Sequence, residues 1–122
     1  MSSCCNQNVL CCNTKRIEKD VFERCYTFTS TNADDQFILW EEAGVINTCG
    51  TLVLDVETID PTGGDVDIFL NGDTTNAVVA DLQEGDSIVL TSDPLTAIVI
   101  GISVANTTVK VNLCLTINYE CC

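Results

Sequence analysis

From about Lys15 onward the chain breaks into short runs rich in Val, Ile, Thr and aromatic residues, and that rhythm limits its folds more than any other feature. The runs are CYTFTST, QFILWEE, CGTLVLDVETI, DVDIFL, NAVVADL, DSIVLT, TAIVIGISVA and TVKVNLCLTINYE. Turn chemistry separates them: NADD, AGVINT, DPTGG, NGDTTN, EGD, SDP and ANT. Runs with a side-chain period of two, cut by Gly, Pro, Asn and Asp, read as strands. Roughly eight of them in 122 residues predict a single all-β domain, an antiparallel sandwich wound as a jelly roll or Ig-like. One stretch is ambiguous: TKRIEKDVFERC fits a short helix with Ile17, Val21 and Phe22 on one face, and fits an extended first strand equally well. Asn71–Asp73 (NGD) carries a tight-turn signal.

The cysteines fall outside this rhythm. Six of the nine sit in the two ends, as Cys4-Cys5, Cys11-Cys12 and Cys121-Cys122. Residues 1–14 are uncharged, with only Val9 and Leu10 apolar between the cysteine pairs, and read as a flexible arm. Fully extended, such an arm reaches roughly 45–50 Å, enough to leave its own domain. Residues 15–122 form the folded body.

Alternation gives the body cysteines a direction. In the last run Val109, Val111, Leu113, Leu115, Ile117 and Tyr119 share one face; Cys114 falls on the other, with Lys110, Asn112, Thr116, Asn118 and Glu120. Tyr26 and Phe28 alternate with Cys25, Thr27 and Thr29, so Cys25 belongs to the polar face as well. Both are expected to be exposed, close together if the first and last strands are neighbours. Cys49 lies just before the third run, beside Gly50, where alternation does not settle its direction.

Several functions are disfavoured by what the chain contains. It has no His, so the usual general base, the triad histidine and the commonest zinc ligand are missing. A formal charge of -13 repels nucleic acid and anionic membrane. No apolar run approaches 18 residues, and the N-terminus lacks the pattern of a signal peptide. Zinc sites space their thiolates two to four residues apart, whereas these doublets are adjacent. A redox catalyst wants a Cys-x-x-Cys beside a βαβ unit, and neither is present, although Lys15 and Arg16 follow Cys12. Asp34-Asp35, Glu41-Glu42 and DPTGGDVD cluster acids without EF-hand spacing. No enzyme, metal or cofactor is expected. A disulfide within a doublet closes a strained ring, so each doublet reads as two hooks able to reach two partners. Arm of one copy to body of another then makes a covalent chain.

The CC-bearing N-terminal arm, the β-rich body of about 100 residues, and cysteines in its first and last strands resemble the endospore appendage (Ena) family. These are pilus-like fibres on spores of the Bacillus cereus group. The resemblance implies a jelly-roll subunit that associates laterally by β-sheet augmentation, with the arm disulfide-bonded into subunits beyond. Carried onto this sequence, Cys11 and Cys12 match the connector pair, and Cys25 and Cys114 the acceptors. Cys4 and Cys5 extend the connector side; Cys49, Cys121 and Cys122 are further candidates. The resemblance also implies synthesis in the sporulating mother cell, location at the spore surface, and other copies of the chain as partners, in rings or a helical fibre. Minor fibre or anchoring proteins are further candidate partners, and whether the tip or base carries one is not set by the sequence. The rival readings are a cross-linked coat or exosporium layer, and a cytosolic thiol-rich metal or redox protein.

Overall fold

The computed structural model describes residues 18–42 and 48–119, the side chains of 18–20, 22 and 119 excepted. Eight strands follow one another with no helix among the described residues: β1 (Glu18–Thr29), β2 (Asp35–Glu41), β3 (Thr48–Asp60), β4 (Val66–Leu70), β5 (Val79–Leu82), β6 (Ser87–Ser92), β7 (Ala97–Ile102) and β8 (Thr108–Tyr119). The ambiguous segment is strand from Glu18. Its Tyr26 and Phe28 have an apolar sheet interior to enter, which tips an evenly balanced pattern towards β.

The strands form two four-stranded sheets, ordered β1-β8-β3-β6 and β2-β7-β4-β5. Every pairing is antiparallel: β1 with β8, β2 with β7, β3 with β6 and β4 with β5, and β3 and β4 also pair with β8 and β7. This is a long hairpin with β4 and β5 at its tip, rolled up on itself, which is how a jelly roll is wound. Even-numbered strands consequently run one way and odd-numbered strands the other.

Alternation fills the space between the sheets. Leu52, Leu54 and Val56 of β3 and Val111, Leu113, Leu115 and Ile117 of β8 meet Ile68 of β4 and Ile98, Ile100 and Ile102 of β7. Where β1 lies over β2, aromatic rings bridge the sheets. Tyr26 stacks on Phe28 at 5.5 Å and Phe28 on Phe37 at 4.8 Å, while the Tyr26 hydroxyl donates to the Leu39 carbonyl at 2.7 Å. At Gly50 the backbone of β3 passes so close to β8 that a Cβ would stand 2.5 Å from the Thr116 carbonyl oxygen.

The NGD turn follows β4, with φ of 59° at Asn71 and 81° at Gly72, positive at both central residues as type I′ requires. Asn71 also ties this turn to the β6–β7 connection. Its Nδ2 donates to the Pro94 carbonyl at 2.9 Å, and its Oδ1 accepts from the Thr96 amide at 2.7 Å. Asn71→Gly keeps the backbone and loses these bonds; Asn71→Ala also strains the left-handed conformation. Urea denaturation should show Asn71→Gly costing about 1–2 kcal/mol and Asn71→Ala about 1 kcal/mol more.

The acids in turns are backbone caps. Asp35 accepts from the Thr31 and Asn32 amides at 2.7 and 2.9 Å, and Asp73 from those of Thr75 and Asn76 at 3.0 and 2.9 Å. These bonds hold both carboxyls below the ordinary value of 3.8, led by Asn32 for Asp35 and by Asn76 for Asp73. A carboxyl with a lowered folded pKa stabilises above its unfolded pKa, and that contribution fades as pH falls through the folded value. Thermal midpoints should therefore drop as pH falls below about 3.8, and Asp35→Asn with Asp73→Asn should flatten that slope.

Candidate cross-linking face

The outer face of the β1-β8-β3-β6 sheet carries all three described cysteines. Register sets its residues in cross-strand rows. One row runs Cys25–Asn112–Asp55–Ser87, from β1 to β6. The next runs Glu23–Cys114–Val53–Val89, and the one after it Val21–Thr116–Thr51–Thr91. In the fourth row Cys49 of β3 lies opposite Asn118 of β8. Cys25 and Cys114 are thus diagonal neighbours on paired strands, about 7–8 Å apart between Cα atoms. The first and last strands do place these two residues together.

Cys25 is exposed, as its alternation predicts, and is a free thiol. Its Sγ donates to Asn112 Oδ1 at 3.3 Å, and Asn112 Nδ2 donates to Glu23 Oε2 at 3.3 Å. The asparagine therefore holds the thiol on one side and a carboxylate on the other.

Cys114 departs from expectation. It lies on the outward face as assigned, yet only 2% of it is exposed. β8 is an interior strand, flanked by β1 and β3 over its whole length, and the outward strip Asn112, Thr116 and Asn118 is buried with it. Cys114 is also disulfide-bonded, so a second sulfur shields its own. Cys49 differs as well. It belongs to β3 itself, points to the outer face one step before the inward Gly50, and is buried and disulfide-bonded.

Cys49 and Cys114 do not bond each other. Cys114 is opposite Val53, four residues along β3 from Cys49, a separation of about 13 Å at ~3.3 Å per residue. Disulfides need Cα atoms within about 7 Å. Nor does either bond the free Cys25. The sulfur that each engages thus belongs to neither of the other two described cysteines. The connector candidates Cys4, Cys5, Cys11 and Cys12, the closing pair Cys121 and Cys122, and the turn at 43–47 lie outside the described residues.

Elsewhere, the carboxylates of Asp65, Asp67 and Asp81 approach within 4.8 Å of one another, a donor set that could hold a cation. The sequence points to the first two, in DPTGGDVD, but Asp81 arrives from β5 through the β4–β5 pairing. Its own amide already donates to Asp67 Oδ1 at 3.0 Å. A partly open cavity lies between the Thr62–Gly64 turn and Gln83–Glu84.

A sequence model of the family described as endospore appendages matches residues 2–121 of this chain. No curated protein sequence matches it. Among solved structures, a chain of the Bacillus endospore appendages, described as forming a novel family of disulfide-linked pili, is similar in fold. Its TM-score is 0.54 at 21% identity, and the match covers 93% of this chain and 97% of that one.

Proposed function

Because the chain belongs to the endospore appendage family, we propose that it is a structural subunit that polymerises with copies of itself, by edge-strand pairing and intermolecular disulfides, into a pilus-like fibre on the spore surface. One observation carries this reading: three cysteines share a single outer sheet face, and one of them, Cys25, is an exposed free thiol open to another copy. Cys25 and Cys114 are the acceptors, Cys25 directly as a free thiol and Cys114 by thiol–disulfide exchange that releases its present partner sulfur, and Cys11 and Cys12, with Cys4 and Cys5, are the connector thiols of another copy. Cys49 is a third acceptor on the same face, and Cys121 and Cys122 remain candidates. Synthesis in the reducing mother cell keeps these thiols apart until release.

The sheet edges support the lateral half of the reading. Natural sheets guard their edges with charge, brevity or bulges. β1 is guarded by the exposed charges of Glu23 and Arg24. β5 has four residues, an irregular register and a positive φ at Asp81. β6 (SIVLTS) has no charge, and β2 (DQFILWE) has charges only at its ends, despite a bulge between Ile38 and Trp40. The two open edges belong to different sheets. A β6-to-β2 joint is therefore heterologous and repeats from copy to copy instead of closing as a dimer.

The test is negative-stain electron microscopy of the chain in oxidising buffer, with and without reductant, beside a chain lacking residues 1–14. Fibres from the full chain, and only arcs, rings or monomers without the arm, are expected. A full chain that stays monomeric under oxidation would refute the reading, and sheets or amorphous layers would assign it to a coat.

A further inference from the structure

We propose that Val89 and Ile38 are the apolar keys that seat one copy of this chain against the next, each entering an open mouth between the partner's two sheets. The proposal rests on the lateral-assembly reading above and adds to it the residues that decide whether two copies fit. Val89 is 60% exposed and Ile38 59%, more than any other large apolar side chain among the described residues. Each sits within one of the two open edges, β6 and β2, and each points to the outer face, opposite Val53 and Val99 respectively. A monomer gains nothing from two bare aliphatic side chains in the uncharged middles of its two open edges.

The main chain at both positions is turned towards an incoming strand. The Asp86 carbonyl accepts from the Val56 amide, which turns the even-numbered residues of β6 to β3 and leaves Ser87, Val89 and Thr91 facing out of the sheet. On β7 the Ala97 carbonyl accepts from the Asn71 amide, on the β4 side. Val99, two residues on, is turned the same way, so Ile38 opposite it also faces the free edge.

The winding then sets which faces meet, and aligning the midpoints of Ser87–Ser92 and Asp35–Glu41 sets the register. β2 and β6 run in the same direction, so copies that add without turning over join them in parallel. The two strands lie in different layers. Bringing them level shifts one copy by about one sheet spacing, ~10 Å. In that step the outer face of the β6 sheet continues into the inner face of the β2 sheet. Val89 comes beside Phe37, at the mouth where Phe37 stacks on Phe28 and the rings are only half-buried. Ile38 comes beside Ile88 and Leu90, which are half-buried on the inner face of β6. Each exposed aliphatic group meets a half-covered apolar mouth. Both are therefore buried only in the polymer.

The experiment measures lateral assembly of the full chain in reductant, where disulfides play no part, by sedimentation velocity and negative stain. Val89→Asp and Ile38→Asp are each expected to raise the concentration at which assemblies appear by at least about tenfold, with unchanged melting. The isosteric Val89→Thr should have a smaller effect of the same sign. Val104→Asp, at a valine 45% exposed in the β7–β8 connection, should assemble like the parent chain. If the parent assembles and the Val89 and Ile38 variants assemble equally well, or Val104→Asp is as damaging as they are, this proposal fails and edge pairing stands. A parent chain that stays monomeric in reductant removes edge pairing itself, and this proposal with it.

Discussion

Gly50→Val should leave the protein unfolded at room temperature, and Gly50→Ala should already cost several kcal/mol in urea denaturation. A Cβ at this position stands 2.5 Å from the Thr116 carbonyl oxygen, 2.9 Å from an Ile117 methyl and 3.1 Å from a Leu95 methyl. The nearest obstacle is main chain in an interior strand, held between β1 and β3, so it cannot move aside without breaking two ladders. Overpacking a well-filled core costs about 1–3 kcal/mol, and losing ladder bonds adds to that. Gly101 is the control. There a Cβ meets only the edge of the Phe69 ring at 3.1 Å, on the outer face, where the ring can tilt. Gly101→Ala should therefore cost about 1 kcal/mol or less. Equal costs at the two glycines would mean that the β3–β8 approach is looser than described.

Replacing both Cys25 and Cys114 with serine should abolish the denaturant resistance of the assembled polymer while leaving lateral arcs intact. Non-covalent joints between copies dissolve when denaturant offsets a few kcal/mol, whereas a disulfide survives until it is reduced. The double variant should enter a non-reducing gel as monomer, where the parent enters only after reductant. Cys25→Ser should account for most of the loss, since its thiol is free and exposed, and Cys114→Ser for less, since its sulfur is buried and already engaged. High-molecular-weight material surviving in the double variant would move the acceptor role to Cys49. Peptide mapping of mixed heavy- and light-isotope chains then shows which sulfurs cross between copies.

The eight strands were legible because each apolar run alternates and each break carries Gly, Pro, Asn or Asp. Those signals are local. The direction of Cys25 and Cys114 was legible for the same reason. Burial was not: flanking residues do not tell that the outward strip Asn112, Cys114, Thr116 and Asn118 is covered, while the outward Val53 and Asp55 of the neighbouring interior strand are only half-buried. Asp81 joining Asp65 and Asp67, and Asn71 reaching Pro94 and Thr96, are likewise set by chain segments distant in sequence. The exposed Val89 and Ile38 read as ordinary strand residues until the sheet order shows that their strands are edges.

The rolled hairpin also sets a timetable. β8 is made last of the eight strands, yet it is the strand between β1 and β3 that holds them in one sheet. Cys25 on β1 pairs across to residue 112, so its surroundings do not exist until the ribosome has passed that point. A growing chain has neither the Cys25–Cys114 neighbourhood nor the closed sheet on which it sits. On the reading proposed above, a neighbour's thiols therefore meet a formed cross-linking face only on finished chains.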